Sequence, residues 1–358
     1  MVRKSVFFCC LMMLVMSPLR AIKIEVQRTV KLDVPEEYTI GNAYAISEGR
    51  FIMLDAREGQ ALLYNKEGKK IRTIGRSGVG PGEMLVPIAL TERNGLVLIS
   101  DLMRQGVHLF RLEENDMKVI DFLKVGTNPD SICILGDWVV CLGYWFESGK
   151  NWWAKGFKLD EKQNKGHCIL TQEQVLGMSD EIARSRIEER AAIGALNLCT
   201  AYGSRFYTCW GGHMRIVFWD DDVKTLKVFG TQGSYYEKPL ASKRLLQYYQ
   251  RRNDKAMEEE YKKLNKIKSM AATREAFYLL FDKKSVQPAI TVLQKYSVKG
   301  DFLGETVLTD VFKSLGDEDS YFTVGCIAEK DKDTLYIVQI DETFDGKRTR
   351  QVHFITVN

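Results

Sequence analysis

The sequence predicts an all-β fold: a six-bladed β-propeller closed by an N-terminal strand, with helical insertions on one face. Three observations predict it. A unit of four short strands recurs along the chain. Its first three strands occur six times, but its fourth occurs only five times. An extended, alternating segment, Val26 to Val34, precedes the first unit and can supply the missing strand.

The unit is clearest early in the chain. Phe51-Ile-Met-Leu-Asp55, Ala61-Leu-Leu-Tyr64 and Lys70 to Gly75 are short runs rich in apolar and β-branched residues, parted by Gly and Asn turns. Leu96 to Asp101, Gly106 to Phe110 and Lys118 to Leu123 repeat the pattern. With the strands lettered A to D, strand A begins near Asn42, Pro87, Pro129, Ala195, Met270 and Tyr321. Strand B begins near Phe51, Leu96, Trp138, Arg205, Ala276 and Thr334. Strand C lies near Ala61, Gly106, Trp152, Met214, Ala289 and Thr349, and strand D near Lys70, Lys118, Gly166, Thr225 and Phe302. A ring of blades must remove the open edge between its last and first members. A β-sandwich or a solenoid explains this strand count less directly.

The segment Ile74-Gly-Arg-Ser-Gly-Val-Gly-Pro-Gly-Glu83, followed by Pro87 and a strand ending in Asp101, resembles the NHL-repeat propellers of the exported bacterial type. Asp55 and Asp101 match the strand-B aspartate of that family, and Tyr144, Gly211, Asp282 and Asp341 stand near the equivalent points. The resemblance is specific over about Asn42 to Val125 and topological beyond. It implies a fold and a binding role, not a reaction.

Residues 1–21 read as a secretory signal. Arg3 and Lys4 precede an unbroken apolar run of 11 residues, Val6 to Met16, and Ser17, Pro18 and Ala21 follow. The run is too short for a bilayer span, which takes about 20 residues. The propeller is then expected over 22–358, in an exported protein of the periplasm or the cell exterior. The net charge of +4 gives no argument for nucleic acid.

Six cysteines follow the leader: Cys133, Cys141, Cys168, Cys199, Cys209 and Cys326. None forms a C-x-x-C pair. Cys133 and Cys141 are symmetric about one A–B turn, and Cys199 and Cys209 about another, so each pair could face across its hairpin. Free buried thiols are the favoured state, because disulfides between adjacent strands are geometrically demanding.

The two ends of the propeller are expected to differ. The A–B and C–D turns are short and charged, as ordinary hairpin ends are. The B–C and D–A connections are long. Residues 172–190 and 235–268 read as helical insertions, and loops of this length are usually functional or disordered. The stretch Tyr144 to Trp153 concentrates aromatic side chains, and strand alternation puts Trp152 and Trp153 on opposite sides. The candidate binding residues are therefore Trp145, Trp152, Trp153, Trp210, His213, Arg251 and Arg252, all at the loop-rich face.

The four histidines share no metal-ligand spacing, and the inner strands offer few carboxylates. There is no G-x-S-x-G elbow and no phosphate-binding glycine loop. No catalytic residue, metal or cofactor is assigned. The sequence favours a non-enzymatic propeller that recognises a protein, peptide or glycan. A hydrolase or lyase working in the central channel is the competing reading.

Overall fold

The computed structural model describes residues 21–34, 42–160, 166–176, 197–210, 215–220, 225–230, 251, 265–283, 290–312, 320–328, 333–342 and 348–358. They form six antiparallel sheets of four strands each. Blade 1 is β2 (Ala43–Ala45), β3 (Phe51–Asp55), β4 (Gln60–Tyr64) and β5 (Lys70–Ile74). Blade 2 is β6 (Pro87–Arg93), β7 (Leu96–Asp101), β8 (Gly106–Leu112) and β9 (Met117–Lys124). Blade 3 is β10 (Ser131–Leu135), β11 (Trp138–Glu147), β12 (Lys150–Lys158) and β13 (His167–Thr171). Blade 4 is β14 (Asn197–Tyr202), β15 (Arg205–Trp210), β16 (Ile216–Asp220) and β17 (Thr225–Phe229). Blade 5 is β18 (Asn265–Ala272), β19 (Ala276–Lys283), β20 (Ile290–Ser297) and β21 (Phe302–Val307). Blade 6 is β22 (Ser320–Ala328), β23 (Asp333–Glu342) and β24 (Arg348–Val357), completed by the N-terminal β1 (Ile24–Leu32).

The second and third strands of each blade are sandwiched between neighbouring blades, so they are apolar on both faces. Every residue of β3 is buried, and the sequence is continuously apolar from Phe51 to Leu54 rather than alternating. The outer strands face water on one side; β5 buries only Ile74 fully. The core is accordingly divided into six clusters, one per blade interface. Leu63, Ile99 and Phe110 join blades 1 and 2, and Leu98, Val139 and Phe157 join blades 2 and 3. Trp153, Phe206 and Val217 join blades 3 and 4, and Tyr207, Phe277 and Phe281 join blades 4 and 5. Leu280, Phe322 and Ile337 join blades 5 and 6, and Phe51, Tyr336 and Val352 join blade 6 back to blade 1. The last of these makes the arrangement a closed ring.

Closure is by β1, as the strand count requires. It pairs antiparallel with β24 from Ile24 opposite Val357 to Leu32 opposite Arg350, with a bulge between Val26 and Arg28. The pairing segment begins two residues earlier than Val26 and ends at Leu32. Val30 and Leu32 enter the interface between blades 6 and 1, and Ile22 enters that between blades 5 and 6. Each such side chain contributes about 1.5–3 kcal/mol by leaving water. Gly68, in the C–D turn of blade 1, holds the strand's far end. Its carbonyl accepts the Asp33 N–H at 2.8 Å. Its φ is +83°, and a Cβ there would lie 2.1 Å from the Lys31 carbonyl oxygen, so only glycine fits.

The linker between blades 1 and 2 folds on itself. The Glu83 carboxylate accepts the Gly80 N–H at 2.8 Å and the Arg76 Nε at 2.6 Å. Arg104 donates to the carbonyls of Gly80 and Glu83, and its guanidinium lies 4.2 Å from the Phe122 ring centroid. The strand-B aspartate ties this linker to its blade. Asp101 accepts the N–H groups of Leu85 (2.7 Å), Val86 (3.1 Å) and Arg104 (3.2 Å), and pairs with His108 Nε2 at 3.3 Å. Burial alone would raise its pKa; His108 and these donors outweigh burial and hold the carboxyl at about 2. The stabilisation this gives is complete above the ordinary carboxylate pKa and disappears as pH falls towards 2.

A second buried network lies in blade 6. Gln339 Nε2 donates to both oxygens of Asp341, so its Oε1 accepts from His353 Nε2 at 3.0 Å. His353 Nδ1 then accepts the Thr29 hydroxyl at 2.9 Å, which links the relay to the closing strand. Burial lowers the His353 pKa, against the opposing pull of Asp341. The folded protein therefore keeps this ring neutral where the unfolded chain binds a proton. Stability should fall as pH drops below about 6.5. The check is Tm between about pH 7.5 and 5.5, where His353→Gln should flatten the dependence.

Two expectations need correction. The cysteine pairs do not face each other across their hairpins. Cys141 is opposite Ile132 and Cys133 is opposite Val140, while Cys209 is opposite Leu198 and Cys199 is opposite Thr208. One residue of register sends the members of each pair to opposite faces of the sheet. Cys133 joins the core between blades 3 and 4, and Cys141 that between blades 2 and 3. Second, β18 starts at Asn265 rather than Met270, so Asn265 to Lys268 leave the stretch expected to be helical. A bulge between Ile267 and Ser269 breaks the alternation that would have marked the strand. Of the two insertions, a short helix at Gln172–Leu176 is described. Residues 177–190 and, apart from Arg251, residues 235–264 lie outside the described residues.

Candidate functional site

The inner strands β2, β6, β10, β14, β18 and β22 surround a central cavity of about 580 Å³. That volume suits a small ligand or one end of a larger one. Its wall mixes apolar and polar groups with few charges; Tyr44, Ser131, Cys199, Thr200, Ser269 and Thr323 are among the polar lining residues. The inner strands start at the loop-rich end and finish at the end carrying the short A–B turns. The two ends are built differently.

At the turn end, several charged groups bind other blades. Tyr202 donates to Asp333 Oδ1 at 2.9 Å, reaching from blade 4 to blade 6, and the Arg274 N–H binds Asp333 Oδ2 at 2.6 Å. Arg205 donates to the carbonyls of Thr273 and Arg274. Glu92 accepts the N–H groups of Ser47 and Gly95, and Arg50 donates to the carbonyls of Glu113 and Glu114. These contacts lace blades together.

At the loop-rich end, two polar groups stand at the cavity mouth. Asp130 lies just before β10 and lines the cavity. Asn197, the first residue of β14, donates from Nδ2 to Asp130 Oδ2 at 2.9 Å and lies 3.5 Å from the Tyr144 hydroxyl. The Asn197 side chain is fully buried, yet its Oδ1 has no hydrogen-bond partner among the described residues. Such an atom costs about 1–3 kcal/mol. Tyr144 meets Trp153 edge to face, with ring centroids 6.0 Å apart. Burial raises the pKa of Tyr144, which keeps its hydroxyl protonated. A chain of contacts thus runs from a core tryptophan to a carboxylate at the mouth.

The second group is centred on Lys268. The β18 bulge carries this residue, and bulges commonly re-aim a side chain. Its ammonium lies 2.9 Å from Asp282 Oδ2 and 5.5 Å from the Tyr321 ring centroid. Asp282 also accepts the Thr291 hydroxyl at 2.9 Å. Asp282 and Asp341 occupy the strand-end position of Asp55 and Asp101, but here they bind side chains of their own blades. Tyr321 is 44% exposed and offers a ring to solvent beside the cation.

The aromatic residues expected to contact ligand divide differently. Trp153 is 1% exposed and donates from Nε1 to Thr208 Oγ1 across the blade interface. Trp145 is 8% exposed and donates to the Val125 carbonyl. Both are packing residues, because long β-hairpins at a blade interface find their apolar partners in the next blade. Trp152 is half-buried, and its Nε1 donates to the Glu147 carbonyl at 3.1 Å. Phe146, at the tip of the same hairpin, is 67% exposed and was not singled out from sequence. Lys155 forms a close ion pair with Glu147 beneath it and lies 5.6 Å from the Trp145 ring centroid. The backbone of Trp210 pairs with Asn197, and Arg251 is exposed. His213, Arg252 and the Trp210 side chain lie outside the described residues. Lys268 and Tyr321 were also missed as site residues. Their signal is the bulge and the strand-end aspartate, which appear only once register is known.

Among the described residues, no group of three His, Cys, Asp or Glu side chains is gathered closely enough to hold a metal ion. No helix there is long and apolar enough to cross a membrane.

No family model matches the chain, and no curated protein matches it. Solved structures do. One is a protein of Bacteroides fragilis whose name is that of an inferred exported protein. It matches with a TM-score of 0.60 and 11% identity over 94% of this chain and 95% of that one. Another is a member of the DUF4221 family from Bacteroides vulgatus, with a TM-score of 0.61 and 9% identity over 94% of this chain and 99% of that one. Identities this low show a shared fold. The chain is thus a six-bladed β-propeller similar over nearly its whole length to bacterial proteins, one of them named for export.

Proposed function

We propose that this protein is an exported binding propeller that takes a peptide, protein or glycan at its loop-rich face. The ligand seats over the mouth between Asp130 and Lys268. The observation that carries the reading is the contrast between the two ends. At the turn end, Arg50, Glu92, Arg205 and Asp333 are bound to other blades; at the loop-rich end, a carboxylate and an ammonium line the cavity, with an exposed tyrosine beside the ammonium. Phe146 and Trp152 extend the same face outward, and aromatic faces of this kind suit sugars and peptide side chains. The apolar leader and the resemblance to a protein named for export support a location outside the cytoplasm.

The test is a glycan and peptide array probed with the purified propeller. Retention of one ligand class is expected, weakened at least about tenfold by Asp130→Ala or Lys268→Met, since removing a charged partner from a binding site costs at least about 1.4 kcal/mol. Asp137→Ala, exposed at the turn end and away from the cavity, should leave retention unchanged. Turnover of a spotted compound instead of retention would favour the channel hydrolase or lyase.

A further inference from the structure

We propose that Cys133 and Cys199 are a redox-active pair whose oxidation to a disulfide staples blade 3 to blade 4 beside the channel. The two residues sit on neighbouring inner strands, β10 and β14. Both side chains belong to the same blade interface, and both residues line the cavity. Cys199 stands close enough to Cys133 to raise the pKa of its thiol. Ser131 sets the approach from the same face of β10, two residues before Cys133. Its Oγ accepts the Cys199 N–H at 3.2 Å and lies 3.4 Å from Cys199 Sγ. Both thiols are free in this structure. The other nearby thiols are directed elsewhere: Cys141 faces the opposite side of its sheet, and Cys209 Sγ lies 3.5 Å from Met270 Sδ.

The two thiols have unequal roles. Cys133 is buried, and burial with the neighbouring Cys199 pushes its pKa far above the usual thiol range. Cys199 is the more exposed and reacts first. It loses its proton and attacks an external disulfide, either a small-molecule disulfide or one carried by an oxidoreductase. A Cys199–reagent bond forms and one thiolate leaves. Cys133 then gives up its proton and attacks Cys199 Sγ; the Cys133–Cys199 bond forms and the second thiolate leaves. Two protein thiols lose two electrons and two protons, and the external disulfide becomes two thiols. An oxidising compartment supplies such reagents. The staple falls close to Asp130 on one strand and Asn197 on the other, so oxidation fixes the spacing of the two groups that hydrogen-bond at the mouth.

The experiment is treatment of the folded full-length protein with cystamine, followed by non-reducing peptide mapping and a Tm measurement. The expected result is a peptide joining Cys133 to Cys199 and an upward Tm shift of several degrees, reversed by dithiothreitol. Cys133→Ser should halt at a Cys199–cysteamine mixed disulfide, and Cys199→Ser should leave Cys133 unmodified. The wild-type map decides the matter even if either variant misfolds. A wild-type protein that stays unmodified, stops at the mixed disulfide, or links Cys199 to Cys141 or Cys209 overturns the proposal.

Discussion

A chain that begins at Asp33 is expected to lose the cooperative unfolding of the ring. Removing β1 exposes the full length of β24, whose N–H and C=O groups then form a free edge. It also uncovers the cluster of Phe51, Tyr64, Tyr336 and Phe354 between blades 6 and 1. The relay through His353 loses its Thr29 partner. Urea unfolding followed by tryptophan fluorescence should broaden and lose its single transition, and the protein should associate through the open edge. A synthetic peptide spanning residues 22–34 should restore the transition in a concentration-dependent way, as any ligand that binds only the folded ring does. Leu32→Ala is the milder version, with an expected loss of about 2–5 kcal/mol. An unchanged urea transition in both variants would mean that closure does not depend on this strand.

Trp153→Ala should be among the most damaging single substitutions. The side chain is almost wholly buried between blades 3 and 4, and its removal leaves Thr208 Oγ1 without one of its partners. A loss of about 3–5 kcal/mol is expected, a large share of the roughly 5–15 kcal/mol that holds a domain together. The substitution also removes the edge contact that positions Tyr144, so the Asn197–Asp130 pair should lose its fixed geometry. Phe146→Ala should behave oppositely. Its ring is exposed, so stability should change by no more than about 0.5 kcal/mol, while ligand retention drops if the hairpin tip is part of the site. Urea midpoints for the two variants, read beside array retention, separate the packing tryptophan from the surface aromatic.

The fold was legible because blade grammar is local. The second strand of each blade begins at Phe51, Leu96, Trp138, Arg205, Ala276 and Asp333, within one residue of where the turn signals put it. Turn residues and apolar runs define those starts without tertiary information. The closing strand was legible through a count, since a ring with five outer strands needs a sixth. The misplacements arose where register matters. Cysteines symmetric about a turn look paired, but the actual two-residue turn offsets them by one and sends them to opposite faces. Trp145 and Trp153 looked like ligand contacts because aromatics cluster in one hairpin; the neighbouring blades that bury them come from distant sequence. Lys268 fell in a stretch that read as helical, and the bulge in β18 places it beside Asp282 and Tyr321. The contact between Asp130 and Asn197 joins positions that only the ring brings together.

The most direct test of the ligand site is hydrogen exchange of the protein with and without the array-identified ligand. The account predicts slowed exchange at the amides that begin the inner strands, around Tyr44, Ser131, Cys199, Ser269 and Phe322, and at the hairpin tip near Phe146. Exchange around Glu48, Asn94, Asp137 and Ser204, at the short-turn end, should stay unchanged. Protection confined to those turn residues, with the inner-strand starts unaffected, would contradict it.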